Sequence, residues 1–431
     1  MYKAMLAWKT EAHHKPLLLL GARQTGKTWL VEQFMGNEYA EHVTINLLDD
    51  SDVVQLYDSS LNAQEKYLAL KALVGWDFEG SSKVLFIDEI QESESLISAL
   101  KFFREKHPEV NIICSGSLLG VKLRRMKTSF PVGQIKTLTL YPMDIREFML
   151  AFGEDALVEQ IQHCFAQDEK LVLPLHNKAL GYYMLYLCVG GMPEAVQSLV
   201  DANKDLTHFD AELADSILEA YFDDMNRYVS NASESLRIER LYHSIPSQLA
   251  NTANKFQYAK VAHSARAKNY ETALDWLEAA GLCLESTRVT RPQIPLRGNE
   301  QAGYFKLFLS DVGLLRSILK IPFATLLLQE EFDYRGAITE NYIAQHMKVQ
   351  ALDLHYWSSE NTAEVDFLLQ TDEGIIPIEV KAGSNVRSKS LTIYREKYKP
   401  PYALRFSQKN FGLEQGIRSL PLYAAFCLSC I

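Results

Sequence analysis

Short apolar segments alternate with segments of helical spacing through the first 150 residues of the chain. Apolar strands that alternate with helices are typical of a parallel sheet covered on both faces. The pattern therefore predicts an α/β domain over residues 1–150. Its strands are predicted at "KPLLLLGA", "HVTINLLD", "SKVLFIDEIQ" and "VNIICSGS", and its helices at "GKTWLVEQFM" and "ESLISALKFFREKH".

The apolar spacing changes further along the chain. Residues 151–232 have helical spacing throughout and predict a helical, lid-like region. Residues 233–298 predict a winged-helix-like domain with three helices, "ESLRIERLYHSIPSQLAN", "YAKVAHSA" and "NYETALDWLEAAGL", followed by a β-ribbon at "CLESTRVTR". Residues 299–431 return to mixed strands and helices. The whole chain is thus predicted to be of the α/β class.

The third helix of the winged-helix outline is the predicted recognition helix. Residues that suit a DNA groove or phosphates lie at its start and in the wing, namely Arg266, Lys268, Asn269, Tyr270, Arg288 and Arg291. Along its length, however, the same helix carries Glu271, Asp275 and Glu278, which fit DNA poorly. Packing against a neighbouring domain is the alternative interpretation of this helix.

Composition and charge narrow the class of protein. With 431 residues, 47% hydrophobic and 23% charged, the chain is predicted to be a folded globular protein of several domains. Its net charge of -10 repels polyanions, so DNA contact would need a local basic patch. Apolar runs shorter than about 18 residues argue against a membrane partner. Scattered cysteines and a start without a signal-peptide core predict a cytoplasmic protein.

The stretch "GARQTGKT" lies between the first predicted strand and the first predicted helix. In that context it fits the phosphate-binding pattern G-x-x-x-x-G-K-[ST], in which glycines let backbone N–H groups surround a phosphate at a helix N-terminus. Lys27 is expected to bridge the β- and γ-phosphates of ATP, and Thr28 to ligate Mg²⁺. The predicted ATP-binding residues are Gly21, Ala22, Arg23, Gln24, Thr25, Gly26, Lys27 and Thr28.

Two later strands also end in residues that suit a nucleotide site. "VLFIDEIQ" ends in Asp88, expected to hold Mg²⁺, and Glu89, expected to polarise the attacking water. The alternative is that both are solvated acids at the end of a strand. That interpretation does not explain why so apolar a run ends in Asp-Glu. "NIICSGSLLG" supplies Ser115 and Ser117, either of which suits a γ-phosphate or water sensor or a helix cap. Lys27, Asp88 and Glu89 are the predicted catalytic residues.

These motifs resemble those of prokaryotic AAA-superfamily P-loop ATPases that carry a C-terminal domain of unknown function, relatives of the archaeal-type and signalling ATPases. The resemblance covers nearly the whole chain and implies ATP binding and hydrolysis with Mg²⁺. It rests on "PLLLLGARQTGKTWLVEQF", "LFIDEIQ", "SGSLLG", "LTLYPMDIREFM", "GGMPEAV", "LFLSDVGLL", "AITENYIAQ", "EVDFLL" and "IPIEVKAG".

One position departs from the pattern of these relatives. Many of them carry a Gly-Arg pair before the strand-and-proline segment, whereas this chain has "FPVGQIKTLTLYP", with Gln134 in the place of the arginine. Arg124 and Arg125 are replacement candidates for an arginine finger. Otherwise hydrolysis is expected to be slow until a partner supplies the positive charge.

A second group of polar residues lies near the C-terminal end. Asp366 is followed, after twelve residues, by Glu379 and then Lys381, the arrangement of PD-(D/E)xK nucleases. This implies a restriction-endonuclease-like α/β domain over residues 299–431. The carboxylates, with Glu340 from a preceding helix, are expected to hold a divalent metal, while Lys381 orients or deprotonates the attacking water. The alternative is a nuclease-like core that persists only as a docking surface.

The sequence predicts ATP and Mg²⁺ as cofactors and leaves three functions open. The leading one is a Mg-dependent ATPase that acts as a nucleotide-controlled switch on nucleic acid or a protein partner. The second is a nucleotide-dependent protein-interaction scaffold with a silent nuclease-like domain. The third is an ATP-licensed, metal-dependent nuclease. An oligomer is compatible with all three.

Overall fold

The structure, a computed structural model, divides the chain into two compact units. The first contains Met1–Tyr141 and Ala279–Gly281, and the second Pro142–Glu278 and Leu282–Ile431. The four-part division of the sequence remains a prediction. The structure describes residues 1–11, 14–125, 133–229, 231–250, 255–262, 265–328, 332–359, 363–383 and 388–431.

The first unit is built on a five-stranded parallel sheet. Its helices are α1 (Tyr2–Thr10), α2 (Lys27–Glu38), α3 (Ser51–Asp58), α4 (Ala63–Val74), α5 (Glu94–Lys106) and α6 (Leu119–Arg125). Its strands are β1 (Leu17–Leu20), β2 (Glu41–Asn46), β3 (Lys83–Asp88), β4 (Ile112–Ser115) and β5 (Lys136–Thr139). The strand order is β2-β3-β4-β1-β5, with every neighbouring pair parallel. Because β4 lies between β1 and β3, the carboxyl ends of these three strands meet at one edge.

Alternate residues of the central strands enter two different cores. Leu18 of β1 belongs to one apolar cluster, whereas Leu17 and Leu19 belong to another. In β3, likewise, Leu85 lies in the first cluster and Phe86 in the second. A strand that is buried on both faces needs apolar side chains at every position. Each buried side chain of this size contributes about 1.5–3 kcal/mol to the free energy of folding. The unbroken runs of the sequence therefore reflect helices packed on both faces.

After Tyr141 the chain forms a helical region, followed by two mixed sheets. The helices are α7 (Ile145–Ala151), α8 (Asp155–Gln167), α9 (Leu173–Val189), α10 (Pro193–Asp201), α11 (Leu213–Tyr228), α12 (Ala232–Leu249), α13 (Ala267–Ala279), α14 (Val312–Ile318), α15 (Phe323–Leu327), α16 (Arg335–Val349) and α17 (Lys389–Tyr398). The strands are β6 (Cys283–Val289), β7 (Glu300–Leu309), β8 (His355–Ser358), β9 (Glu364–Val365), β10 (Phe367–Thr371), β11 (Gly374–Val380), β12 (Ala403–Ser407), β13 (Gly412–Glu414) and β14 (Ile417–Pro421).

The predicted β-ribbon is present, but it does not stand alone. β6 and β7 form an antiparallel pair, and β8 extends the sheet by pairing parallel to β6. The resulting order is β7-β6-β8-β9, and a second sheet has the order β10-β11-β12-β14-β13. At the predicted helix "YAKVAHSA", the described residues form a 3-10 turn, Tyr258–Lys260, and not an α-helix. So short a segment gains too few hydrogen bonds to sustain an α-helix.

The α/β fold class is confirmed, with a P-loop-type parallel sheet first, a helical middle and a C-terminal mixed α/β part. Within the described part of the chain, no helix has both the length and the apolarity needed to cross a membrane.

Candidate functional site

The loop after β1 adopts a conformation that requires glycine. Gly21 has φ of 149°, and a Cβ atom there would lie 2.3 Å from the Leu140 carbonyl oxygen. Gly26 has φ of 84° and precedes the first turn of α2. Between them, the buried Thr25 hydroxyl donates to the Ala22 carbonyl at 2.8 Å. Left-handed backbone at such positions is accessible mainly to glycine. The sequence therefore folds this segment into a tight loop that leads into a helix N-terminus.

Lys27 is held inside this loop. Its side chain is buried, and its Nζ atom donates to the carbonyl oxygens of Gly21 at 3.1 Å and Ala22 at 2.7 Å. Because Lys27 is the first residue of α2, its ammonium group adds to the positive potential of the helix N-terminus. The loop thus has the charge and the backbone path of an anion site. Arg23 and Gln24 lie on its exposed side.

Asp88 joins three of the predicted site residues. Its side chain is buried, and its Oδ2 atom accepts a hydrogen bond from the Thr28 hydroxyl at 2.8 Å. Its Oδ1 atom accepts from the Glu89 backbone N–H at 3.0 Å and from the Ser115 hydroxyl. These contacts follow from the sheet order, since β4 delivers Ser115 beside the end of β3. The buried carboxylate thus connects the first turn of α2 with the ends of β3 and β4.

Glu89 points to the other serine. It has φ of 53°, and its Oε2 atom accepts from the Gln91 side-chain amide. The same oxygen lies 3.4 Å from Ser117 Oγ and 3.5 Å from Ser117 N. Ser115 and Ser117 therefore lie at the same edge but contact different carboxylates.

Gln91 is a site residue that the sequence analysis missed. It is buried, and Gly116 makes room for it, because a Cβ atom at Gly116 would lie 2.0 Å from Gln91 Oε1. The only sequence signal was its place in "FIDEIQ", two residues after the second carboxylate.

The arginine candidates are placed as follows. Gln134 lies just before β5 and is partly exposed, and Arg124 is an exposed residue of α6. The side chain of Arg125 lies outside the described residues. The source of an arginine finger stays a prediction.

The sheet order and this loop define the first unit as a P-loop nucleoside triphosphatase domain. More particularly, residues 13–149 match the family model described as an AAA domain. Residues 181–325 and 335–425 match two domains of unknown function, DUF8612 and DUF4143. The predicted resemblance to AAA ATPases with a C-terminal domain of unknown function is confirmed.

Three solved structures illustrate the similarity at low identity. A Walker-type ATPase of Pyrococcus abyssi is 15% identical, with 74% of this chain and 94% of that chain covered and a TM-score of 0.43. The ORC2 protein of Aeropyrum pernix is 13% identical, with 78% and 90% covered and a TM-score of 0.37. RuvB of Thermotoga maritima is 13% identical, with 65% and 87% covered and a TM-score of 0.29. Similarities this weak carry no argument about function. Comparison with curated proteins gives no significant match.

The C-terminal polar residues also come together, with two additional members. The Glu379 carboxylate accepts from Lys381 Nζ at 2.6 Å, and Asp366 Oδ2 accepts from the Val380 backbone N–H at 2.7 Å. Lys306 of β7, which the sequence analysis missed, lies 3.5 Å from Glu340 Oε2. Its Nζ atom also donates to Glu364, the second missed member. We refer to Lys306, Glu340, Glu364, Asp366, Glu379 and Lys381 as the carboxylate cluster.

Burial and crowding of like charges shift the pKa values in this cluster. Burial raises the pKa of Asp366 well above its usual range, and the negative charges of Glu379 and Glu340 raise it further. Burial alone would lower the pKa of Lys306, but attraction from Glu340, Glu364 and Asp366 outweighs it, so the pKa is raised. Lys306 is therefore charged at neutral pH.

The cluster does not have the geometry of a metal site. Among the residues that the structure describes, only Glu79, His107 and Glu109 bring three ligand atoms within 4.8 Å of one another. The predicted metal ligands Glu340, Asp366 and Glu379 do not converge in this way. In the other triad, Glu79 already accepts from Lys71 Nζ at 3.0 Å. Divalent cations need ligand oxygens that converge at about 2.0–2.6 Å from one point, so the cluster as it stands does not fit a metal ion.

The predicted DNA-contacting residues are divided between surface and core. Arg266, Lys268 and Asn269 are exposed at the start of α13. Tyr270 is buried, so its predicted contact with a groove is wrong, because its ring packs inside the unit. Arg288 donates to the Ser358 carbonyl at 2.7 Å and thereby links β6 to β8.

Proposed function

We propose that this protein binds ATP with Mg²⁺, hydrolyses it, and uses the nucleotide state as a switch on nucleic acid or a protein partner. The observation that supports this most directly is the hydrogen bond between Thr28 and Asp88 at 2.8 Å. It joins the end of the phosphate loop to the carboxylate of a second strand, in the arrangement that a Mg-nucleotide site requires.

Each residue of the site has a distinct proposed role. The loop N–H groups and Lys27 would hold the phosphates. Thr28 and Asp88 would hold Mg²⁺, which supplies neutralising charge to the phosphate oxygens. Glu89 would accept a proton from, or polarise, the attacking water.

Two side chains of the site, Lys27 and Glu89, are hydrogen-bonded within the protein. Lys27 Nζ is bound to the carbonyls of its own loop, and Glu89 is bound to Gln91 and Ser117. Both groups must exchange these partners to act on a nucleotide. Gln134, in the position where relatives have arginine, is consistent with slow turnover unless a partner contributes positive charge.

The alternatives differ in the output of the nucleotide state. A nucleotide-dependent protein scaffold would use the same site without acting on nucleic acid. An ATP-licensed nuclease is less favoured, because the described carboxylates of the cluster do not converge on a metal position. A cytoplasmic location and a capacity to oligomerise are part of the same proposal. The free thiols of the six cysteines agree with a reducing compartment.

The test of nucleotide binding compares Lys27→Ala with Lys101→Ala, an exposed lysine of α5. A titration with a fluorescent ATP analogue and Mg²⁺ should show a loss of affinity of about 100-fold or more for the first variant and none for the second, because only Lys27 faces the phosphates. Unchanged affinity in Lys27→Ala would remove the proposal.

Hydrolysis and switching need separate measurements. Glu89→Gln should keep the affinity for ATP but lower turnover by about 100-fold or more, because it removes the base and leaves the loop intact. A switch further requires that a non-hydrolysable analogue change the affinity for DNA, RNA or a captured protein by about 5-fold or more. Equal affinities in both nucleotide states would leave an ATPase without a switch.

A further inference from the structure

The carboxylate cluster contains two cationic side chains of the protein itself. They are the ammonium groups of Lys306 and Lys381, and four carboxylates surround them. The carboxylates belong to Glu340 of α16, Glu364 of β9, Asp366 just after β9, and Glu379 of β11. The side chain of Lys306 is only 12% exposed. A charge taken this far from water is stable only when it is paired and hydrogen-bonded. Lys306 is paired with two carboxylates, so its position is specified by the fold.

Lys306 connects separate elements of the domain. From β7, its Nζ atom donates to Glu364 of β9 and lies 3.5 Å from Glu340 Oε2 of α16. It also lies 5.3 Å from the centroid of the Tyr356 ring of β8. An ammonium ion provides three donors and favourable contact with an aromatic face. One lysine thus joins a helix and three strands, as a structural metal ion would.

One oxygen of each of the four carboxylates is already used by the chain, whereas Glu379 Oε2 is buried and has no hydrogen-bond partner among the described residues. Val380 N donates to Asp366, Lys381 donates to Glu379, and Lys306 contacts Glu340 and Glu364. Within the described residues, the oxygens of Glu340, Asp366 and Glu379 do not come within 4.8 Å of one another as a set. A divalent ion would have to displace both ammonium groups and draw the carboxylates together.

We propose that Lys306 is the resident cation of the carboxylate cluster and takes the place of a divalent metal ion there. The cluster is then a structural, metal-independent centre, although its motif has the composition of a metal-dependent nuclease site. The proposal concerns the C-terminal part of the chain alone and does not depend on nucleotide binding. It assigns to Lys306 and Glu364 a role that no motif indicated.

The test measures Mn²⁺ binding to the full-length protein without nucleotide, by titration calorimetry and by the Mn²⁺ paramagnetic resonance signal. The natural protein should have no Mn²⁺ site that depends on Asp366 and has a dissociation constant below about 1 mM. Asp366→Asn should therefore leave its Mn²⁺ binding unchanged in that range. Lys306→Met should gain such a site, with affinity increased at least 10-fold, since it removes the competing cation. The double variant Lys306→Met with Asp366→Asn should lose that binding again. Lys306→Arg, which keeps a cation, should not gain it.

Lys381→Met is the matched control, because it removes the same charge from the same cluster but leaves Lys306 in place. It should gain no Mn²⁺ site comparable to that of Lys306→Met. Saturable, Asp366-dependent Mn²⁺ binding by the natural protein would overturn the proposal, whatever the variants do. An equal gain in both lysine variants would also overturn it. If Lys306→Met does not fold, the double variant Lys306→Met with Glu364→Gln is tested in its place. That variant removes one charge of each sign.

Discussion

Two glycines of the first unit illustrate how differently one residue type is constrained. Gly21 has φ of 149°, and its missing Cβ would lie 2.3 Å from a carbonyl oxygen, whereas Gly36 of α2 has no atom within 4 Å of that position. We expect Gly21→Ala to lower the free energy of unfolding by about 1–3 kcal/mol and to weaken ATP binding. Gly36→Ala should raise it by about 0.5–1 kcal/mol, because alanine favours a helix. Denaturant titration measures both.

Comparison of the two variants distinguishes an effect of backbone geometry at Gly21 from a general effect of an added methyl group. A stable Gly21→Ala protein with normal ATP affinity would contradict the tight loop after β1. Destabilisation by both substitutions would show instead that α2 tolerates no added methyl group.

His346 lies in the core of the second unit and is predicted to be neutral. It is fully buried, its Nε2 atom accepts from the Ile145 N–H at 2.9 Å, and its Nδ1 atom lies 2.8 Å from the Tyr342 carbonyl. Burial is the main reason why its pKa is lowered to about 4. Since the unfolded chain binds a proton near pH 6.5, His346 stabilises the fold above that pH. That contribution, about 3 kcal/mol at most, is lost as the pH falls from 6.5 to 4.

The pH effect is isolated by comparison with His346→Gln, which cannot titrate in this range. The free energy of unfolding of the natural protein should fall more steeply between pH 6.5 and 4 than that of the variant. An NMR titration in which His346 protonates near pH 6.5 would contradict the assignment.

Residues whose positions depend on local motifs could be predicted from the sequence, whereas residues whose positions depend on distant contacts could not. Lys27, Thr28 and Asp88 were predictable because local motifs and the ends of parallel strands determine their positions. Lys306 was not, because "YFKLFLS" shows only a mainly apolar strand with one lysine in it. Its contact with Glu364 joins residues 58 apart in sequence and depends on how β7 and β9 are brought together. A charged residue on a strand face gives no sign that the face will be buried against carboxylates.

At the scale of elements, two stretches that carried the family resemblance form a structural junction. The Asp311 carboxylate accepts from the Gly191 N–H at 2.7 Å and from the Leu314 N–H at 3.0 Å, which caps α14. A Cβ atom at Gly313 would lie 2.2 Å from the Val189 carbonyl oxygen. "GGMPEAV" and "LFLSDVGLL" therefore pack against each other, since glycine lets the end of α9 approach the start of α14.

This junction predicts a large effect from one side chain. Asp311→Ala leaves two buried N–H groups without acceptors, so the free energy of unfolding should fall by about 2–4 kcal/mol. Ser388→Ala removes the single cap of α17, a hydrogen bond of 3.1 Å to the Leu391 N–H, and should cost about 1 kcal/mol. Denaturant midpoints at a constant slope would check the ranking. Equal losses in the two variants would show that the junction adds nothing beyond an ordinary cap.

The elements themselves were predictable where periodicity was strong. The strands at Leu17–Leu20 and Lys83–Asp88 and the helices at Lys27–Glu38 and Glu94–Lys106 agree with the apolar pattern. The pairing of β6 with β8 was not predictable, because a β-ribbon looks the same in sequence whether it ends a sheet or continues one.

At the scale of the whole molecule, the chain consists of two compact units, and the residues of the candidate nucleotide site in the first unit lie at one sheet edge. A ligand that binds only the folded state stabilises it by about 2.7 kcal/mol at 100 times its dissociation constant. Local opening of the loop and of the ends of β3 and β4 should therefore become rarer when Mg-nucleotide binds. Amide hydrogen exchange resolves such effects segment by segment.

The proposed functions predict different exchange patterns. A non-hydrolysable ATP analogue with Mg²⁺ should slow exchange at residues 21–30 and around Asp88 and Ser115 in every case, and Lys27→Ala should abolish the effect. A switch requires in addition that exchange change in segments after Pro142, because a ligand alters a distant surface only through a difference in free energy between two states. Changes confined to residues 1–141 would contradict the switch while leaving ATP binding intact. Changes that persist in Lys27→Ala would place the nucleotide elsewhere.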